Sequence, residues 1–330
     1  MSKYPNLESA FLGELALIVE EGDDIEVRGS LTREIRARSI EIEDCLDRYV
    51  VLPERHNNIF ASIAESMWVL AGRNDLTYLG AYLSRARDYS DDGEKWRAGY
   101  GPRLRNWNGV DQLAELLAIL KKDQASRRAV AVLYDPDRDF VDSKDIPCNN
   151  WLHFLVRDNR VDLHIAARST DIWWGFSGIN AFEWSLLLEM MAFWLHQEPG
   201  HLVFFTSSLH LYKRHFVSAQ RVLSSWDGTR IELAASPAPR FDTTWENFGP
   251  ELAEWMRLEE QMRNGLALSQ LACSLSDPLL ISYAQMIDVF WRFKRHEERS
   301  VLEEALERQG HERLRDAALE FLHRPNNRSH

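Results

Sequence analysis

The sequence predicts an α/β protein with a helical C-terminal extension, and three observations carry that prediction. Segments with helical apolar spacing alternate with short apolar runs of strand type over the first two thirds of the chain. Val161, Leu163 and Ile165 alternate with Asp162 and His164 directly after Asp158-Asn159, the pattern of a β-hairpin. Beyond the Pro-rich passage Pro237–Pro239, every periodic segment is helical.

Taken in order, residues 6–22 form the first expected helix, with Leu7, Phe11, Leu15 and Leu17 near helical spacing. Val27–Glu34 reads as a loop, since Gly29 stands beside Arg28 and hydroxyl residues. Helices follow at Ile59–Leu70, Leu76–Arg87 and Val110–Lys121. Trp96–Arg105 carries two glycines around Tyr100, but it follows no strand and is no dinucleotide fingerprint. Strands are expected at Ala129–Tyr134, Trp151–Arg157, Arg160–Ala167, His201–Thr206 and Arg230–Ala234. Gly178–Leu195 is an almost wholly apolar helix and should be buried. Glu251–Asn264, Pro278–Lys294, Val301–Gln309 and Glu312–Leu322 complete the helices. Asp277 before Pro278 is a cap residue ahead of a residue suited to the first helical turn. The chain divides into a catalytic domain at 1–245 and a mostly helical extension at 246–330, with an unstructured tail at Pro325–His330.

Composition narrows the function. The 330 residues are 45% hydrophobic, enough for a sizeable core. A net charge of -12 argues against direct nucleic-acid binding. No apolar run is long enough for a membrane span, and the N-terminus has no signal-peptide core. Three cysteines, Cys45, Cys148 and Cys273, suit a reducing cytoplasm rather than a disulfide framework. No metal-ligand spacing stands out.

The chemistry concentrates in Asp145–Phe216. Cys148 follows Pro147, which fixes the local backbone, and a thiolate is a strong nucleophile. Arg168-Ser169 leaves a strand that the hairpin returns toward Cys148, so Arg168 can hold phosphate and favour the thiolate. Arg127-Arg128 at a strand entrance suits a phosphate clamp. Glu65 lies in an apolar helix, where it is either solvent-facing or a general acid/base with a raised pKa. A packing role for Cys148 and ion-pair roles for the arginines are the ordinary alternatives. A cysteine hydrolase would need a base from His153, His164 or His210, and no nucleophile signature surrounds Cys148.

Together these residues resemble the thymidylate synthase superfamily, including its pyrimidine-nucleotide hydroxymethylases. The matching elements are Glu65 ahead of Trp68 and Gly72, Tyr100-Gly101, Arg127-Arg128, Pro147-Cys148, Arg168-Ser169-Thr170-Asp171, Gly175 to Asn180, and His210-Leu211-Tyr212, in family order. The resemblance implies a thymidylate synthase-like mixed sheet flanked by helices, in a homodimer joined through its sheets. It implies that Cys148 adds to C6 of a pyrimidine nucleoside monophosphate, whose C5 then attacks 5,10-methylenetetrahydrofolate as co-substrate. Glu65 would handle protons through water, with Tyr100 and Asp171 as further catalytic groups. Arg28, Arg168 and Ser169 would bind phosphate, with Arg127 and Arg128 reaching across from the partner. His210 and Tyr212 would bind the sugar, and Asn180 would read the base. Gly178 and Ile179 are competing placements for that position, because one extra residue separates Arg168 from Asn180.

The departures favour one branch. Asn149 stands where synthases have His after the cysteine, and Ala167 replaces a Gln. Tyr82–Tyr89 lacks the tryptophans that flank folate in synthases. These changes touch the hydride-transfer step, so hydroxymethylation of dUMP, dCMP or CMP is expected ahead of reductive methylation. Asn180 tilts the base toward uracil. A non-catalytic nucleotide-binding protein is the alternative from another class.

Overall fold

The computed structural model describes residues 1–226, 238–308 and 310–324. The strand expected at Arg230–Ala234, part of the Pro-rich passage and the tail at Pro325–His330 lie outside the described residues.

The described strands form one mixed eight-stranded sheet. They are β1 (Ser2–Tyr4), β2 (Asp23–Val27), β3 (Ser30–Ile42), β4 (Val130–Val132), β5 (Asn149–Arg157), β6 (Arg160–Ala167), β7 (Thr170–Asp171) and β8 (Glu198–Tyr212). The order is β1-β3-β8-β6-β5-β4, with β2 paired to β3 and β7 to β8. The expected β5–β6 hairpin is present: Asp158 and Asn159 both have positive φ, which matches the twist of the strands they join. Arg28-Gly29 makes the same kind of turn between β2 and β3, with φ of 50° and 72°.

The helices are α1 (Leu7–Glu21), α2 (Ile59–Leu70), α3 (Leu76–Leu79), α4 (Tyr100–Arg105), α5 (Gln112–Lys122), α6 (Pro136–Asp139), α7 (Ala181–Trp194), α8 (Phe216–Ser225), α9 (Trp245–Arg263), α10 (Pro278–Lys294), α11 (Arg299–Glu307) and α12 (Glu312–Leu322). α1 and α7 cover one face of the sheet. The other face leaves Val130, Val132 and Phe205 exposed.

Several expectations need correction. Val27–Glu34 is not a loop but a hairpin turn that starts the 13-residue strand β3. Its charges hid it: Arg33 pairs with Asp24, Arg38 with Glu14, and Glu34 accepts from Ser208. The helix expected at Leu76–Arg87 stops at Leu79, and a separate 3-10 turn follows at Ala86–Tyr89. β8 is 15 residues long and takes in His210 and Tyr212. The helix expected at Gly178–Leu195 begins instead as a π-helix, Ile172–Asn180, which runs into α7. α10 and α12 match their expected bounds, and Asp277 caps α10 through Leu279 N and Leu280 N.

The C-terminal helices share the core of the rest of the chain. Tyr82 donates to Glu259 on α9 at 2.6 Å, accepts from Trp291 on α10 at 2.9 Å and stacks on Phe290. The segment without folate-flanking tryptophans is thus tied to the added helices. On α12, Arg313 reaches Asp47 at 3.2 Å, Glu8 at 3.5 Å and the Tyr49 carbonyl at 3.1 Å, all buried. Burial pushes Glu8 up to about 7 despite Arg313 beside it.

Removing one member of a buried ionic group leaves the others unpaired, which costs about 3–5 kcal/mol. Arg313→Ala is therefore expected to lower the unfolding free energy of the whole chain by that amount, seen as a lower urea midpoint in a single transition. An unchanged midpoint would mean that α12 does not support the fold.

Candidate active site

The Cys148 loop is shaped from the far end of β6. Arg168 donates to the carbonyls of Ile146 and Pro147, both at 2.8 Å, and its backbone N donates to the Cys148 carbonyl at 2.9 Å. The same guanidinium points at Cys148 Sγ at 3.7 Å. Burial raises the thiol pKa, and Arg168 opposes that rise without overcoming it. Arg168 thus pulls toward the thiolate, against the larger effect of burial. Asn149 is tied to Tyr100: its backbone N and side-chain amide both donate to Tyr100 Oη, at 3.1 and 2.7 Å. Gly101 lets Tyr100 take this place, because a side chain there would strike the Arg73 backbone.

The span from Arg168 to Asn180, where the resemblance counts one extra residue, runs through the π-helix. A π turn holds more residues per turn than an α turn and is bonded i→i+5. Ala181 N bonds back five residues to the Phe176 carbonyl. Arg55 donates to the Trp173 carbonyl, and Ser62 on α2 donates to the Gly178 carbonyl. Ile179 is buried and Gly178 has no side chain, whereas Asn180 Oδ1 lies beside Gly175. Of the three competing positions, Asn180 is the one that presents a polar group.

Two carboxyl groups are buried next to this turn. Glu65 on α2 is 6% exposed, and its Oε2 has no partner. Burial alone pushes it up to about 8, so of the two sequence readings the structure takes the buried one. Glu183 on α7 is 3% exposed with both oxygens unpartnered, and it is held well above the usual carboxylate range by burial and by Glu65. The sequence reading passed over Glu183 because it treated the helix as uniformly apolar. The available signal was a carboxylate inside that apolar run.

The remaining residues fall into two groups. Pairing of β7 with β8 sets Asp171 against His210, next to Ser169 and Tyr212. Burial raises Asp171 and lowers His210, and each partly offsets the other's shift. Arg28, exposed in its turn, is close enough for its charge to be felt at Cys148. Arg214, not anticipated, covers the Tyr212 ring at 4.1 Å. Arg127 and Arg128 do not join this group within one chain. They are exposed, and Ala129 pairs near Phe154, six residues from Cys148, or about 20 Å along the strand. His153 and His164 pair across β5 and β6 on the open face, so neither is positioned as a base for Cys148. Among the described residues no cluster of His, Cys, Asp or Glu could hold a metal ion, and no helix is long and apolar enough to cross a membrane.

The Glu65 proton gives a pH test. A raised pKa means that the folded state holds a proton the unfolded state releases more readily. That contribution is full below the ordinary value of 4.5 and is lost as pH rises through about 8. Glu65→Gln keeps the neutral shape, so it should be more stable than the parent chain at pH 8 and lose that advantage toward pH 4.5. Urea midpoints at both pH values check this, and a pH-independent difference would refute it.

A sequence profile of the thymidylate synthase family matches residues 9–251. A deoxyuridylate hydroxymethyltransferase of Bacillus phage SP01 is 39% identical over 61% of this chain and 56% of its own length. A protein of the same name from Pseudomonas phage M6 is 37% identical over 51% of this chain and 48% of its own. The chain thus spans about half the length of these phage relatives. A Methanothermobacter marburgensis protein, provisionally named thymidylate synthase, is 32% identical over 63% of this chain and 91% of its own length. With the profile covering most of its length, the chain belongs to the thymidylate synthase family.

Proposed function

We propose that this protein hydroxymethylates C5 of a pyrimidine nucleoside monophosphate, with dUMP the favoured substrate and 5,10-methylenetetrahydrofolate as co-substrate. The observation that carries this reading is the placing of Arg168 on Cys148, of Tyr100 on the adjacent Asn149, and of the unpartnered, buried Glu65 beside Glu183, whose charge is felt at Tyr100. Unpartnered carboxyl oxygens suit the polar edge of a base and its waters. The names of the phage relatives support the uracil base and the hydroxymethyl product. So does the tethering of Tyr82 under α9 and α10, in the segment where synthases place tryptophans against folate.

Cys148, once deprotonated, forms the S–C6 bond and makes C5 nucleophilic. C5 takes the one-carbon unit, its proton leaves by way of water at Glu65, and tetrahydrofolate departs unoxidised. Water adds to the C5 methylene, and the S–C6 bond breaks. Arg28, Arg168 and Ser169 hold the phosphate, His210 and Tyr212 hold the sugar, and Asn180 reads the base, its amide able to rotate to suit uracil. Asp171 supports His210 from the neighbouring strand. The sequence division at 245/246 then separates the catalytic part from helices that brace it.

The open sheet face is the place for a second copy. Trp151, His153, His164 and Phe205 form a continuous ladder of rings across β5, β6 and β8. Phe205 is 38% and Val132 52% exposed, and an apolar sheet face of this kind suits an isologous contact. Back-to-back packing would carry Arg127 and Arg128 toward the partner's phosphate site.

Product mass tests the reaction. With methylenetetrahydrofolate and dUMP, the expected products are hydroxymethyl-dUMP and tetrahydrofolate, and Cys148→Ser should abolish turnover while leaving nucleotide binding. A methyl product with dihydrofolate would mean a thymidylate synthase. Absence of any adduct with dUMP, dCMP or CMP would point to a binding protein.

Sedimentation tests the assembly. Phe205→Glu is expected to give an inactive monomer. Cys148→Ser mixed with the double variant Arg127→Ala/Arg128→Ala should regain activity that each lacks alone. A fully active Phe205→Glu monomer would eliminate the shared site.

A further inference from the structure

Helix α7 carries two carboxylates in an apolar setting, and the fold treats them differently. Glu189 is compensated: Arg48 and Arg240 both reach it, and they hold it below the usual range despite its burial. Glu183, six residues earlier on another side of the helix, has no such partner. A buried polar group without a partner costs stability, so its persistence calls for a role. Asn180, one turn before Glu183, exerts a favourable pull on the carboxylate without reaching bonded geometry. Glu65 is near enough for the two carboxyl groups to repel. Three carboxyl oxygens, Glu65 Oε2 and both of Glu183, are therefore buried together without protein partners. Tyr100, bonded to Asn149 beside the nucleophile, packs its ring 5.4 Å from Trp184, the residue after Glu183. The pair is thus part of the Cys148 site.

We propose that Glu183 is a further catalytic residue, which with Glu65 holds the water that becomes the hydroxyl of the product. This inference rests on the hydroxymethylase reading above. Two like charges cannot both persist in one buried site, so one carboxyl stays neutral. Glu183, which feels Glu65 as well as its own burial, is that one, and Glu65, raised by burial alone, is the one that ionises. The carbonyl oxygen of Glu183 accepts one hydrogen of the water, and the Glu65 carboxylate accepts the other. The water oxygen bonds to the exocyclic C5 methylene, and its proton passes to Glu65. The methylene π electrons move onto O4 as an enolate. Collapse of the enolate restores the C5–C6 double bond and expels the Cys148 thiolate. Nothing is oxidised or reduced, so no hydride is needed and tetrahydrofolate is released as such. A second carboxyl that fixes water at the methylene thereby favours hydration over reduction.

The test separates hydration from the steps before it. Tritium release from C5-tritiated dUMP reports adduct formation and one-carbon transfer, while product mass reports hydration. Glu183→Leu should release tritium within a few fold of the native rate but lose hydroxymethyl product by ~10²-fold or more. With 2-mercaptoethanol present, the unhydrated methylene should be captured as a thioether. Glu183→Gln, which keeps a neutral carbonyl acceptor, should retain most hydroxymethylation. Both variants should fold, because each removes a buried ionisable group, and circular dichroism checks this. Native product formation by Glu183→Leu would overturn the proposal. So would parallel loss of tritium release and product, which would mark a structural or base-binding role. Equal loss in Glu183→Gln and Glu183→Leu would overturn the neutral-acid assignment. If the native chain itself releases no tritium, the hydroxymethylase reading fails, a result distinct from any of these variant outcomes.

Discussion

A buried backbone carbonyl must find a donor, and the π turn at Ile172–Asn180 takes side-chain donors beyond its own i→i+5 bonding. Two of these donors come from elsewhere in the chain. Arg55, stacked on Trp173 at 4.4 Å, serves the Trp173 carbonyl, and Ser62 on α2 serves Gly178. Burial lowers Arg55 to about 10, with the charges of Glu320 and Asp171 only partly opposing the shift. α2 is thereby locked to the turn and carries Glu65 with it. The turn also sets the phase of α7, and hence the side on which Asn180 and Glu183 emerge. The site's geometry follows from that one local departure from α-helical bonding.

The electrostatics of the site follow from burial rather than from strong charge pairing. Cys148 is raised by burial in spite of Arg168, Glu65 is raised by burial alone, and Glu183 is raised further by Glu65. A resting site of neutral groups is inexpensive to keep dry, and it leaves the charge of Arg168 free to meet a phosphate. Glu189 on the same helix shows the contrast: two arginines hold it ionised, and its role is structural.

Much of the site was legible from residue types and their order. Pro147-Cys148, Arg168-Ser169, Tyr100-Gly101 and His210-Leu211-Tyr212 are short, local signals, and the structure places Tyr100, Arg168, His210 and Tyr212 in one region with Cys148. Glu183 was less legible, because its meaning depends on having no partner, and partners come from distant segments. Arg127 and Arg128 were legible as cations, but their reach depends on a second copy. The C-terminal helices were legible as helices from period and caps. Their docking through Arg313 and Tyr82 was not, since each contact joins residues far apart in the chain.

Sequence alone therefore determined the helical and hairpin periods, the Asp277 cap, and the set of side chains available for chemistry, because these depend on neighbours within a few residues. Tertiary structure decided the rest. β3 became a strand because its charges found partners on β2, α1 and β8. The segment before Asn180 is a π turn whose carbonyls meet Arg55 and Ser62 from distant segments. Glu65 and Glu183 became a pair because α2 and α7 pack together. In each case the deciding quantity was whether a buried polar group met a partner, and that is settled only when distant segments are brought into contact.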